Sequence, residues 1–138
     1  MSLYCLIYTS VAKQKMTDNC LKNLLDRTRS KNSAVSLTGM LLYIDPYFVQ
    51  ILEGDLEDVC ETFTRISKDP IHHKVSLILK KPITERNFAN LAMGFNKVSE
   101  KHIDSFVSLE AFYKSESFKK QSKDIIELLE MFKNETLF

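Results

Sequence analysis

A glutamine stands inside an apolar stretch of this chain, YFVQILEG at 47–54, with Val49 before it and Ile51 after it. Strand side chains alternate between the two faces of a sheet, so a run that is apolar on both is covered on both. Gln50 is then interior, and a buried amide left without partners costs about 1–3 kcal/mol. Tyr8, in the apolar run LIYTS at 6–10, and Asn32, after the first helical pattern, raise the same question. One economical answer serves all three. The fold holds a polar ligand inside it, and that ligand offers donors and acceptors to a Tyr, an Asn and a Gln.

The hydrophobic periods give the element order. Residues 3–10 read as a strand with Leu6 and Tyr8 on one face and Cys5 and Ile7 on the other. Thr17 can cap a helix, and Met16 and Leu21 are spaced as a hydrophobic staple across the cap. Leu21, Leu24, Leu25 and Thr28 mark its inner face, and it should end near Ser30 and Lys31, with Asn32 in the loop beyond. Strands at about 36–44 and 47–53 flank Asp45-Pro46, a turn signal, and form a hairpin. Asp55 can cap a second helix carrying Leu56, Val59, Cys60, Phe63 and Ile66, stopped by Pro70. Val75, Leu77 and Leu79 alternate into a fourth strand, and 91–98 supply a fifth.

The order β-α-β-β-α-β-β is the split βαβ arrangement: an α+β, ferredoxin-like sheet with both helices on one face. The other face needs its own cover. The tail offers one, with apolar residues through 103–112 and a helix cap at Ser122 ahead of Ile125, Leu128, Leu129 and Phe132. A second subunit is the alternative. The organisation is thus a domain at 1–98 and a helical extension at 99–138, packed on the sheet or on a partner. With Phe48, Gln50 and Leu52 on the face shared by Leu6 and Tyr8, the cleft under the helices receives Tyr8 and Gln50. Asn32 reaches it from the first helix and Arg65 from the second, and such a cleft suits a flat ring.

Composition closes off other classes. Nineteen basic and 18 acidic residues leave a net charge of +1, too weak a field to indicate nucleic acid or a membrane surface. No apolar run approaches the roughly 18 residues that span a bilayer. The start MSLYCLIYTS has no basic leader, so no signal peptide is read. Cys5, Cys20 and Cys60 lack CxxC spacing and read as reduced thiols of a cytoplasmic protein. His72-His73 has no Cys or carboxylate at ligand spacing, so no metal site is assigned.

Taken together, LIYTS at 6–10, SLTGMLLY at 36–43, FVQILEG at 48–54, TFTRISKDP at 62–70 with His72, and RNF…AMGF at 86–95 resemble the BLUF domains, blue-light sensors using flavin. The resemblance covers about residues 3–97, and the chain is similar in length to short members without a fused enzyme. It implies a ferredoxin-like fold with non-covalent flavin between the helices: FAD, with FMN or riboflavin as the other options. It implies Tyr8 as the redox-active tyrosine, Gln50 as the switching amide and Met93 as the signal relay. It assigns Asn32 to the polar edge of the ring, with Lys31, Arg65, Asp69 and His72 completing the surround. A photoreceptor of this kind turns over no substrate. It signals through contacts with a downstream protein, and its apolar second face implies a homo-oligomer.

Three positions depart from the family's pattern. Lys31 stands where Asn is frequent and can pair with a flavin phosphate. Ile71 replaces the arginine of the usual DxRH run, which removes one cation. Leu91 stands where many members carry Trp, and the chain has no Trp at all. Two other classes compete with the sensor. A flavin-dependent redox enzyme would oxidise NAD(P)H, although Gly39, Gly54 and Gly94 form no dinucleotide motif. A ligand-free regulatory module would purify colourless, since the fold alone does not fix function.

Overall fold

The computed structural model describes residues 2–98 together with 125–126, 129–130 and 133–134. The elements are β1 (Leu3–Ala12), α1 (Asp18–Ala34), β2 (Thr38–Ile44), β3 (Tyr47–Asp55), α2 (Leu56–Ser67), β4 (His72–Pro82) and β5 (Gly94–Lys97). They build one five-stranded sheet in the order β4-β1-β3-β2-β5. All neighbours are antiparallel except β2 and β5. The expected element order and ferredoxin-like topology are therefore present. The tail residues 103–112, Ser122, Leu128 and Phe132 lie outside the described residues.

Alternation along β1 and β3 sorts two apolar clusters onto the two faces. Under the helices lie Leu6, Tyr8, Leu21, Leu25, Leu41, Phe48, Leu52 and Val59. On the opposite face lie Cys5, Ile7, Met40, Leu42, Val49 and Ile51, joined by Ile125 and Leu129. Thr17 caps α1 as expected, accepting from the Cys20 amide at 3.2 Å, and Met16 packs on the cluster that holds Leu21. Asp55 caps α2, accepting from the Glu57 amide at 3.1 Å.

Three expectations need correction. First, α1 runs on to Ala34, which puts Asn32 in its last turn rather than in a loop. The helix stops at a Schellman-type turn: the Ser36 amide donates to the Ser33 carbonyl and the Leu37 amide to the Asn32 carbonyl. Ser36 takes the left-handed conformation there, at φ 57°, where glycine is the usual residue. Second, β4 does not alternate cleanly. Tyr8 pairs with Leu77 and Ile7 with Leu79, so Ile78 is an inserted residue. Ile78 and Leu79 join the far cluster, while Leu77 stays exposed. Third, β5 is only four residues long, and Met93 immediately precedes it.

Candidate functional site

Tyr8 and Gln50 are directly opposed in the β1–β3 ladder, on the face the helices cover. The Tyr8 hydroxyl donates to Gln50 Oε1. Gln50 Nε2 donates in turn to the thioether sulfur of Met93 at 3.3 Å. All three side chains are buried. The result is a short hydrogen-bonded line, phenol to amide to sulfur, crossing β1, β3 and the approach to β5. A glutamine amide is the one link able to accept at one end and donate at the other.

Met93 is seated from several directions. Arg29 Nε donates to its carbonyl at 2.9 Å, Asn32 Nδ2 to the Ala92 carbonyl at 2.7 Å, and the Gly39 amide to the Leu91 carbonyl at 3.0 Å. Gly39 faces this seat without a side chain. A Cβ there would strike the Ile51 carbonyl and come within 3.2 Å of the Met93 methyl.

Above Gln50 a cleft opens between α1 and α2, enclosing about 680 Å3 of space between atoms, part of it open to solvent. Every residue read from the sequence as a flavin contact lines it: Tyr8, Lys31, Asn32, Gln50, Arg65, Asp69 and His72. Leu41 and Phe48 form an apolar floor, and Leu24 and Ile66 stand in the helical walls. Lys31 and Arg65 are exposed at the rim, while Asn32 is buried. This combination fits a flat heteroaromatic ring with a polar edge: apolar surfaces for its faces, two buried amides for its imide side.

His72 closes the end of the cleft. Its Nε2 lies 2.6 Å from the Ile66 carbonyl, which can only accept, so that nitrogen carries the proton. Nδ1 then accepts from the Ser10 hydroxyl at 2.8 Å. The ring stands edge-on to Tyr8, with centroids 6.3 Å apart, and Phe63 packs tilted on Tyr8 at 5.5 Å. Burial pushes the Tyr8 phenol far above its ordinary range, and the nearby Asp69 charge pushes it the same way. The phenol is therefore held neutral.

The family's sequence model, described as sensors of blue light using FAD, matches residues 3–94. The chain belongs to the BLUF family. Relatives include the photoactivated adenylate cyclase subunit beta of Euglena longa, 33% identical over 87 residues, or 63% of this chain and 10% of that protein. The alpha subunit from Euglena gracilis is 29% identical over 96 residues, covering 70% of this chain and 9% of its own. The chain thus spans about a tenth of the curated relatives it matches. Among solved structures, BlsA in its photo-activated state superposes with a TM-score of 0.82 at 24% identity, covering 99% of both chains. BlrB, a BLUF protein in its dark state, gives 0.73 at 25% identity over 93% of this chain and 96% of that one.

Sequence reasoning passed over several residues that shape this BLUF site. Thr62, a buried polar residue on the inner face of α2, lines the cleft, and so does Arg27. Thr62 carried a signal of the same kind as Gln50: a polar residue at a position that the helical period turns inward. Arg29 gave none, because its role depends on a loop folding back on α1. Among the described residues no helix is long and apolar enough to cross a membrane, and no group of His, Cys, Asp or Glu is arranged to hold a metal ion.

Proposed function

We propose that this BLUF domain holds FAD in the cleft, with the polar edge of the ring at Asn32 and Gln50 and the Tyr8–Gln50–Met93 line as its photoactive element. The hydrogen-bonded line carries this reading, because it joins an oxidisable phenol to a movable segment through a reorientable amide. Bound flavin excited by blue light would supply a strong one-electron oxidant. Tyr8 would give its electron to that oxidant and its phenolic proton to Gln50 Oε1. With no Trp in the chain, Tyr8 has no indole competitor as donor. When electron and proton return, the amide of Gln50 is left reoriented or tautomerised. Its Nε2 then no longer donates to Met93, and no substrate is consumed.

Met93 is the relay in this scheme. It loses its amide partner while its backbone stays tied to Arg29 and its neighbour to Asn32, so the change passes into β5. The output is a change in protein contacts at β5 and at the 99–138 extension, felt by a downstream protein and by a second copy in a homo-oligomer. Ile125 and Leu129 of that segment are buried in the far cluster. We place the protein in the cytoplasm, where the free thiols Cys5, Cys20 and Cys60 stay reduced. No catalytic role is assigned to the chain itself. The cyclase activity named in its relatives belongs to proteins of which the matched segment is about a tenth.

Absorption spectra of the purified protein, in the dark and after blue light, test this. The expected outcome is bound oxidised flavin with a small, reversible red shift. A bound flavin indifferent to light would sink the photoreceptor reading. Asn32→Ala should weaken flavin binding by about 1–3 kcal/mol through the lost polar contact.

A further inference from the structure

Two tyrosines are buried among the described residues, and only Tyr8 has a part in the scheme above. Tyr43 lies on β2 under the helices, 3% exposed, in the same apolar cluster as Tyr8. It stands opposite Phe48 in the β2–β3 ladder, and the two rings pack with centroids 5.1 Å apart. Phe48 lines the cleft beside Tyr8 and Gln50. One aromatic ring, that of Phe48, thus joins Tyr43 to the cleft. The contacts continue beyond it: the Phe48 ring is 6.1 Å from that of His72, which stands 6.3 Å from that of Tyr8.

The Tyr43 hydroxyl is set for a different proton transfer from that of Tyr8. It donates to Asp45 Oδ1 at 2.7 Å, and its oxygen accepts from the Met16 amide at 3.1 Å. The backbone donor occupies one side of the oxygen, which leaves the hydrogen aimed at the carboxylate. Tyr8 donates instead to an amide oxygen. A carboxylate is built to take up a proton, whereas a neutral amide oxygen accepts a hydrogen bond but is a far weaker base. Loss of an electron makes a phenol strongly acidic, so a base already in hydrogen-bond contact favours the combined loss of electron and proton. Asp45 is exposed, so this base keeps contact with water while the ring it serves is dry.

We propose that Tyr43, with Asp45 as its proton acceptor, is a second light-driven electron donor to the ring in the cleft, and that it competes with Tyr8. The inference rests on the flavin reading above. Tyr43 would give one electron to the photoexcited oxidised flavin and its phenolic proton to Asp45 Oδ1. The phenol O–H bond breaks and a carboxyl O–H bond forms; Tyr43 is oxidised by one electron, and the flavin is reduced by one. When electron and proton return, the starting state is restored. Gln50 takes no part, so its amide keeps its bonds to Tyr8 and Met93 and no signal is left behind. Each excitation taken by Tyr43 is lost to the sensor.

Flash photolysis of the flavin-loaded protein tests this. Tyr8→Phe should still give a transient tyrosyl radical after a blue flash, without the red shift. Adding Tyr43→Phe, which keeps the ring on Phe48, should abolish that radical. Adding Asp45→Asn instead keeps an acceptor but removes the base, and should cut the radical several-fold. Tyr43→Phe alone should raise the yield of the red-shifted state per absorbed photon. Azide radicals made by pulse radiolysis give a readout free of flavin, since they oxidise tyrosines directly in a chain that has no Trp. The longest-lived tyrosyl radical should disappear in Tyr43→Phe and be shortened in Asp45→Asn. No radical in Tyr8→Phe, a radical that persists when Tyr43→Phe is added, or one indifferent to Asp45→Asn would each overturn the assignment. So would an unchanged red-shift yield in Tyr43→Phe. With a normal red shift in the parent protein, those outcomes spare the sensor reading. A protein that takes up no flavin would sink both.

Discussion

Gln50 and Glu53 lie three residues apart on β3, both buried and both polar, and their surroundings differ in kind. Glu53 faces away from the helices. Its carboxylate accepts from the Asn87 amide at 2.7 Å, the Phe88 amide at 2.9 Å and the Thr38 hydroxyl at 3.1 Å. Arg86 ties the same corner through Thr38 Oγ1 at 2.9 Å and the Glu53 carbonyl at 3.1 Å. Two of Glu53's donors are backbone groups that cannot rotate away. Gln50 has instead a phenol that can lose its proton and a thioether that accepts weakly. One strand thus grips the segment at 87–93 at both ends, firmly through Glu53 and loosely through Gln50. A buried polar group saturated by backbone is an anchor. One that shares its bonds with soft or reactive partners can switch.

The largest effect belongs to the switching end. Gln50→Leu and Tyr8→Phe should each abolish the light-induced shift while keeping flavin, as difference spectra would show. A normal photocycle in Tyr8→Phe would mean that the electron comes from elsewhere. The anchoring end should behave in the opposite way. Glu53→Leu orphans two backbone amides and a hydroxyl, each worth about 1–3 kcal/mol when buried. Urea unfolding should show a loss of roughly 2–5 kcal/mol, with the light shift retained in the folded fraction. Abolition of the shift would erase the distinction between the two residues. Met93→Leu conserves volume and should cost less than about 1.5 kcal/mol. It should keep the red shift but change the dark-recovery rate several-fold, and unchanged recovery would remove Met93 from the relay.

Alkali probes the helix-covered face more gently. Burial raises the Tyr8 phenol, and burial first, then the contact with Asp45, pushes Tyr43 up to about 12. The folded chain therefore keeps these protons longer than the unfolded chain does. Their contribution to stability is intact below the ordinary phenol value near 10 and is lost as pH rises above it. Denaturation midpoints measured from about pH 9 to 12 should fall, and less steeply in Tyr43→Phe. The smallest effect expected is a gain of up to about 1 kcal/mol for Ser36→Gly, which relieves the left-handed residue that ends α1.

Strand phase was the legible part of this fold. Alternation in LIYTS and FVQILEG was enough to put Tyr8 and Gln50 on one face, and their pairing follows from the hairpin and the sheet order. The end of α1 was hidden because its terminator is Ser36. A serine in the left-handed region carries no glycine-like signature, so Asn32 read as a loop residue. The phase of β4 was hidden because a bulge at Ile78 has no local mark in a run of apolar residues. Glu53 read as the polar end of a strand. Only tertiary structure brings the Asn87 and Phe88 amides to it, 34 and 35 residues away.

The bare surface of Gly39 beneath Met93 has a mechanical consequence. The methionine's methyl lies 3.2 Å from where a side chain at position 39 would begin. If Met93 leaves, it opens a hollow that β2 cannot fill, and unfilled core volume costs about 24 cal/mol per Å3. The departed side chain is therefore pulled back by the space it vacated. If Met93 is the relay proposed above, the length of the signalling interval depends partly on the absence of a side chain at Gly39, which sets how strongly the core draws Met93 home.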